Sequence, residues 1–349
     1  MQNPFSLSFG TKPAEQISRT LQINEIIEDF NSDLPSSYVY MITGVRGSGK
    51  TVAMTTISSE LAEDSSWITI ELNPERDLLQ GFASKLYSRA NLKPFFLDAK
   101  LDFSALGIGF SISGGNQFFD IEDAISQMLK IVKMQNKKVL VTIDEVTNTK
   151  DIRIFVSAFQ ILIRNNLPIF LLMTGLYENI YDLQNSKTMT FLYRAPKVFL
   201  SPLNMTAIRN RYADIFEISA DEAWSMAVLT KGYPFAFQVL GFIKWKNKTA
   251  SLDDLLPTFD EYLDEYVYEK IWNELSEKDR NVISIISELT SNENKISVKD
   301  IRDKCEMTSN IFSTYRDRLM RKGIIDTSQY GYISLVLPRF ADFVERYYN

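Results

Sequence analysis

The stretch that decides the fold is Gly44-Val45-Arg46-Gly47-Ser48-Gly49-Lys50-Thr51, which matches the pattern G-x-x-x-x-G-K-[ST] at every fixed position. In such a loop the glycines let consecutive backbone N–H groups turn inward around phosphate oxygens. The lysine then reaches the β- and γ-phosphates, and the threonine hydroxyl ligates Mg²⁺. A helix that begins here directs its positive end at the same site. The pattern therefore predicts a loop that binds nucleotide phosphates.

The sequence on either side of this loop supports the same interpretation. The apolar, β-rich residues 38–43 precede it, and an amphipathic helical pattern runs from Val52 to Leu61. A strand, a glycine loop and a helix form the setting that a phosphate-binding loop requires. A glycine-rich turn that matches the pattern by chance is the alternative. We place Val52 with the loop among the expected nucleotide contacts.

An acidic pair follows a second predicted buried strand. The apolar run Val139–Ile143 is followed by Asp144 and Glu145. Parallel strands that are covered on both faces have continuous apolar runs, and ligands bind beyond their carboxyl ends. Asp144 is thus expected to hold Mg²⁺ together with Thr51, and Glu145 to polarise the water that attacks the γ-phosphate. Two adjacent acids favour hydrolysis of ATP; an acidic pair at the surface end of a strand is the alternative.

A third apolar run, residues 168–173, is followed by Thr174. Its hydroxyl is expected at the same carboxyl edge of the sheet as Asp144, where it could orient the attacking water or contact the γ-phosphate. The alternative is a threonine that only caps the next turn.

These motifs resemble those of the AAA+ ATPases, and more closely the ORC-like branch of that class, which is related to the STAND signalling ATPases. In this resemblance Gly44–Thr51 is Walker A, Val139–Glu145 is Walker B and Thr174 is sensor 1. The resemblance implies that the chain binds ATP with Mg²⁺ as cofactor and hydrolyses it, with Lys50 among the catalytic residues.

Two further segments carry the resemblance. Residues 3–19 are similar to a Gly-Arg segment that contacts the adenine side of the nucleotide, although Ser18 stands where the family has glycine. Gly232-Tyr233-Pro234 looks like the GxP module of the STAND ATPases. By this resemblance Arg19 and Pro234 are expected to contact the nucleotide.

Arg194, in the run Phe191–Pro196, matches the family's arginine that acts in trans on the γ-phosphate of a neighbouring subunit. A planar guanidinium suits that role because it stabilises spread phosphoryl charge. The assignment implies a homo-oligomer. A surface arginine without this role is the alternative.

Composition excludes several other kinds of chemistry. The 349 residues include one cysteine and no histidine, so a disulfide framework, Ser–His or Cys–His catalysis and His-ligated metals are ruled out. An apolar fraction of 45% is ordinary for a globular protein. We find neither a signal segment nor an apolar run of membrane-spanning length, and so expect a cytoplasmic protein without a membrane partner.

The order of predicted elements gives the fold class. Strands alternate with helices, which predicts an α/β fold with a parallel P-loop sheet covered by helices on both faces. The glycine-rich residues 105–115 are expected to be a loop or hairpin insert. The predicted strands are residues 38–43, 67–72, 139–143, 168–174 and 197–200. The predicted domains are residues 1–203 (P-loop ATPase), 204–272 (helical lid) and 273–349 (winged helix).

The last two domains are predicted from helical patterns and their caps. In the lid, helices are expected to start at Asn204–Thr206, near Ser219 and after Pro234. Residues 273–349 show three helical segments followed by two β-like segments, 324–326 and 332–337, which is a winged-helix pattern.

A basic stretch in the last domain suggests a polyanion as partner. Residues 295–325 contain eight basic and four acidic side chains in a chain of net charge −6. The helix before the wing would enter the major groove of double-stranded DNA, where arginine and asparagine read base edges and lysine contacts phosphate. Winged helices that bind proteins are the alternative. The expected DNA-binding residues are Ser309, Asn310, Ser313, Arg316, Arg318, Arg321 and Lys322.

The sequence thus predicts a switch protein that hydrolyses ATP slowly and whose nucleotide state controls DNA binding through a winged helix. The competing hypothesis is a STAND-like signalling ATPase, in which nucleotide state controls assembly with protein partners. The GxP-like module and the acidic net charge favour the second hypothesis. The short C-terminus, without a repeat or effector domain, counts against it.

Overall fold

The computed structural model describes residues 2–8, 14–109, 111, 113–290 and 296–348. It divides into two compact units. The sheet unit comprises Thr20–Thr43 and Lys50–Phe199, and the helical unit comprises Met1–Arg19, Gly44–Gly49 and Leu200–Asn349. Part of the Gly-Arg-like segment (residues 9–13), two residues of the insert (Phe110 and Ile112) and the basic Lys295 lie outside the described residues.

The sheet unit confirms the predicted α/β class. Within its described residues, five parallel strands have the order β2-β5-β6-β1-β7. The strands are β1 Val39–Thr43, β2 Trp67–Leu72, β5 Lys138–Ile143, β6 Ile169–Gly175 and β7 Lys197–Phe199. All five strands predicted from apolar runs are therefore present.

Burial explains why these runs form the centre of the unit. Every residue of β1 and of β6 is buried, as expected for strands that helices cover on both faces. The register pairs Thr43 with Gly175 and Ile143 with Met173, so β1, β5 and β6 end close to the same edge. The helices of this unit are α1 Thr20–Asn31, α2 Lys50–Glu63, α3 Leu78–Tyr87, α4 Lys93–Asp98, α5 Ile121–Met134, α6 Lys150–Arg164 and α7 Tyr177–Gln184.

The insert predicted at residues 105–115 begins within a short 3₁₀ turn, Ser104–Leu106, and is a loop in its other described residues. The flanking strands β3 Leu101–Asp102 and β4 Asn116–Gln117 pair in parallel, so they do not form the hairpin that we considered. The side chain of Ile108 is 3% exposed and packs in the core of the sheet unit.

The helical unit begins with the helices predicted from their caps. The side chain of Asn204 caps α8, that of Ser219 caps α9, and Pro234 is the first residue of α10, where its missing N–H costs nothing. These helices are α8 Met205–Phe216, α9 Ala220–Thr230, α10 Pro234–Lys246, α11 Leu252–Leu263 and α12 Glu269–Asn273.

The C-terminal part of this unit combines helices with a small antiparallel sheet of order β8-β10-β9. Helix α16, whose Phe340, Phe343 and Val344 are fully buried, was not predicted. The division into three domains stays a prediction. The elements are α13 Glu277–Thr290, β8 Ile296–Ser297, α14 Val298–Lys304, α15 Ser309–Arg321, β9 Ile325–Asp326, β10 Tyr332–Leu335 and α16 Phe340–Tyr348.

In the described ranges of the chain, no helix is long and apolar enough to cross a bilayer.

Candidate active site

The loop of residues 44–49, which joins β1 to α2 along the chain, has the backbone that its glycines predict. Gly47 and Gly49 have φ angles of +74° and +86°, in the left-handed region that favours glycine. A Cβ added to Gly44 would lie 2.5 Å from the Ser48 Oγ, too close for any other residue without a shift. The φ angles thus favour glycine at positions 47 and 49, and the nearby Ser48 side chain favours it at position 44.

The two residues that were expected at the nucleotide from outside the loop both lie beside Gly49. The Arg19 guanidinium donates to the backbone oxygens of Ser48 at 2.9 Å and of Ser201 at 2.7 Å. Pro234 lies 3.9 Å from the position of an added Cβ on Gly49. Burial lowers the pKa of Arg19 to about 10, which still leaves it charged at neutral pH. Arg19 therefore adds a positive charge next to the loop.

The other side of the loop contacts three residues that were not predicted at the site, Tyr233, Glu274 and Gly323. The Tyr233 hydroxyl donates to the backbone oxygen of Arg46, and the Arg46 side chain forms an ion pair with Glu274 at 3.4 Å. Val45 packs against Gly323, where an added Cβ would lie 2.4 Å from the Val45 Cγ1. The only signal for Tyr233 was its place inside the GxP-like module.

Three buried polar atoms around this loop have no hydrogen-bond partner among the described residues. They are the Ser48 Oγ, the Arg19 Nε and the Arg46 Nε. A buried polar atom without a partner costs free energy, so such atoms are rare unless a ligand or water satisfies them. Their concentration at one loop fits the binding of a polar, anionic ligand.

In the sheet unit, the predicted metal ligands are in contact. The Thr51 hydroxyl donates to the Asp144 carboxylate at 2.7 Å, and the Thr174 hydroxyl donates to the other oxygen of the same carboxylate. Hydroxyl and carboxylate oxygens are the ligands that Mg²⁺ prefers. These residues therefore fit the cofactor that the sequence implied.

Glu145 is held in an uncommon backbone conformation directly after β5. Its φ angle is +51°, and its N–H donates to the Asp144 Oδ1 at 3.0 Å and to the Thr174 Oγ1 at 3.3 Å. A non-glycine residue is uncommon in this region of φ, and here the two hydrogen bonds of the N–H hold it in place. The Glu145 carboxylate is exposed and can reach a water molecule.

The remaining predicted catalytic residues lie at element ends. Lys50 is the first residue of α2, two positions before Val52. Arg194 is the last residue of a 3₁₀ turn, Thr190–Arg194, and its side chain is exposed.

The predicted DNA-binding residues divide into two groups. Ser309, Asn310 and Arg321 are exposed on α15, whereas Ser313, Arg316 and Lys322 are partly buried. Arg316 forms an ion pair with its neighbour Asp317 at 3.1 Å.

Arg318, also predicted at the DNA interface, forms an ion pair with a residue of another helix. Its guanidinium donates two hydrogen bonds to the buried Asp279 of α13, at 2.9 Å and 2.5 Å. Arg318 therefore joins α15 to α13.

The chain is similar to one family model and to several solved structures. Residues 265–344 match a family model described as a domain of unknown function (DUF8462). No curated protein matches the sequence. The Walker-type ATPase PABY2304 of Pyrococcus abyssi is similar in structure, with 13% identity, 98% of this chain and 99% of that chain covered, and a TM-score of 0.68.

The ORC2 protein of Aeropyrum pernix, solved in ADPNP–ADP complexes, is also similar. It is 14% identical, the alignment covers 97% of this chain and 96% of that chain, and the TM-score is 0.60. Likeness at this identity concerns the fold and leaves the activity to be argued from the residues. The chain has the fold of the ORC-like AAA+ ATPases.

Proposed function

We propose that this chain binds ATP with Mg²⁺, hydrolyses it slowly, and uses its nucleotide state to control binding to double-stranded DNA. The observation that carries the ATP-binding step is the loop at residues 44–49. The loop contains two left-handed glycines and the buried Ser48 Oγ, and the buried Arg19 Nε lies beside it. Neither of these polar atoms has a partner among the described residues. A phosphate group would satisfy such atoms.

The similar solved structures support this step. One of them is named a Walker-type ATPase, and the other was solved with ADPNP and ADP. Their identity to this chain is low, so the support lies in the shared fold.

The residues of the chain have separate tasks in the proposed reaction. Lys50 and the loop N–H groups bind the phosphates, and Thr51 and Asp144 would hold Mg²⁺. When bound, this ion neutralises charge on the phosphates. Glu145 polarises the attacking water by accepting its hydrogen bond.

Thr174 acts mainly by positioning the two acids. It donates to Asp144 and accepts the N–H of Glu145, so a single hydroxyl fixes both the metal ligand and the residue that activates water. The exposed Arg194 would complete the site of a neighbouring subunit in a homo-oligomer, since a guanidinium stabilises the spread charge of the transferred phosphoryl group.

DNA binding is proposed for the C-terminal part of the helical unit. The order α13, β8, α14, α15, β9, β10 supports a winged helix, in which α15 would enter the major groove. Ser309, Asn310 and Arg321 are exposed on this helix. With Arg318 bound to Asp279, the remaining predicted residues would carry the interface.

Fluorescence anisotropy of labelled duplex DNA, measured with ATP, ADP or no nucleotide over a salt series, tests this proposal. We expect binding that depends on the nucleotide and weakens steeply with salt. In Arg316→Ala/Arg321→Ala, the slope of log K against the logarithm of the salt concentration should become shallower by about two. Each basic contact to phosphate contributes about one to that slope. The control Lys150→Ala/Arg164→Ala removes the same charge from the exposed side of α6 and should leave the slope unchanged.

A STAND-like signalling ATPase is the second candidate function. The contacts of Arg46 with Glu274 and of Val45 with Gly323 favour it, because they join the loop to C-terminal residues that could report the nucleotide. Under this alternative the protein would not bind DNA with ATP, with ADP or without nucleotide, and its molecular mass in solution would change with ATP.

A further inference from the structure

We propose that Tyr233 is a positioning residue for the phosphate-binding loop, and that its hydroxyl holds the loop in the conformation that nucleotide binding requires. This inference rests on the proposed ATP binding. It assigns a role in that binding to a side chain that is not part of the loop motif.

The contact of Tyr233 with the loop is close and polar. Its hydroxyl donates to the backbone oxygen of Arg46. A Cβ added to Gly47 would lie 2.1 Å from the hydroxyl oxygen and 2.8 Å from the ring Cζ. The end of the phenol therefore rests directly on the peptide bond between Arg46 and Gly47.

The geometry of a phosphate-binding loop explains why this contact matters. When the N–H groups of the loop turn inward to a phosphate, its carbonyl groups turn away and need other partners. A buried carbonyl that is left without a partner destabilises the conformation that places it there. Tyr233 gives the Arg46 carbonyl its partner, at the position where Gly47 takes the left-handed φ of +74°.

Tyr233 is itself fixed in place by the turn before α10. Its N–H donates to the Thr230 oxygen at 2.8 Å, and the Gly232 oxygen accepts the N–H of Leu203 at 2.8 Å. The side chain is 5% exposed, and burial raises the pKa of the phenol, so the hydroxyl stays a proton donor over the ordinary pH range. A rigid donor of this kind can set the loop before the nucleotide arrives.

The test compares Tyr233→Phe with Tyr212→Phe. Tyr212 is also buried in the helical unit, and its hydroxyl donates to a backbone oxygen, that of Phe237, at 2.7 Å. Each variant loses one hydroxyl and its hydrogen bond to a backbone oxygen, so the melting temperatures without nucleotide should fall by similar amounts. The Tyr212 hydroxyl donates to α10 and not to the loop, which makes this variant the matched control.

Two measurements separate positioning from general stability. The Kd for ATP with Mg²⁺, measured by calorimetry, should rise about tenfold in Tyr233→Phe and stay within about twofold of the unmodified protein in Tyr212→Phe. Hydrogen exchange of the amides of residues 45–49 without nucleotide should become about tenfold faster in Tyr233→Phe alone.

The outcomes that overturn the inference are distinct. If both variants weaken ATP binding equally, or if Tyr233→Phe changes neither the Kd nor the loop exchange rate, Tyr233 has no positioning role. If the unmodified protein does not bind ATP, the proposed function fails, and this inference fails with it.

Discussion

The hydroxyl of Thr51 donates a 2.7 Å hydrogen bond to the carboxylate of Asp144, which joins the first turn of α2 to the end of β5. The two residues are 93 positions apart in the sequence. Both would be ligands of one Mg²⁺ in the proposed reaction. This contact therefore joins the predicted Walker A and Walker B motifs.

Asp144→Asn tests the metal ligand. The amide keeps the shape of the side chain but removes the charge that attracts a divalent cation, so we expect ATP hydrolysis to fall by at least about a hundredfold. The affinity for ATP should also lose its dependence on Mg²⁺. Turnover and Kd, with Mg²⁺ and with a chelator, measure these effects. Asp151→Asn, at an exposed site at the start of α6, is the control, and equal turnover in both variants would contradict the assignment.

Glu145→Gln separates hydrolysis from binding. A general base contributes about 10² to 10⁴ in rate, and we expect a loss of that size in single-turnover hydrolysis. ATP affinity should stay within about twofold, because the exposed carboxylate is directed at water and not at the nucleotide in this proposal. A variant that still hydrolyses ATP at the original rate would exclude Glu145 as the base.

Arg318→Ala and Arg316→Ala distinguish a structural arginine from a surface one. Removing Arg318 leaves the carboxylate of Asp279, whose side chain is 2% exposed, without its guanidinium partner. Because the Arg318 side chain is 38% exposed, we expect a moderate loss of about 2 kcal/mol in the free energy of unfolding. Arg316 pairs with Asp317 at the surface, and its removal should cost less than about 0.5 kcal/mol. Urea denaturation measures both, and equal losses would contradict the role given to Arg318.

The single cysteine gives a prediction about pH. Burial raises the pKa of the Cys305 thiol to about 11. Since the thiolate is the reactive form, labelling at pH 8 should be about a hundredfold slower in the folded chain than in denaturant. The rate should then rise about tenfold per pH unit up to pH 11. A folded chain that labels as fast as the denatured one at pH 8 would contradict the burial of this thiol.

Much of the sheet unit could be predicted because its signals are local. An apolar run such as Val139–Ile143 identifies a buried strand, and the acids that follow it must lie at the carboxyl edge. Asn204 and Ser219 likewise predicted the starts of their helices. In each case the side-chain oxygen accepts the backbone N–H of the residue three positions later, which is a local contact.

Other features depend on partners that are distant in the sequence. The pairing of Arg318 with Asp279 joins residues 39 positions apart, and nothing in the pattern of α15 separates Arg318 from Arg316. The bond from Tyr233 to Arg46 spans 187 positions. Helix α16 has an amphipathic pattern that could have been found, with Phe340, Phe343 and Val344 on its buried side.

The central claim is that the loop at residues 44–49 and Lys50 bind the phosphates of ATP. Calorimetric titration of the protein with ATP and Mg²⁺, compared with Lys50→Ala, tests it most directly. The account predicts one saturable site in the unmodified protein and an affinity at least about a hundredfold weaker in the variant, because the lysine contacts both the β- and γ-phosphates. The absence of binding by the folded, unmodified protein, or equal affinity in the variant, would contradict it.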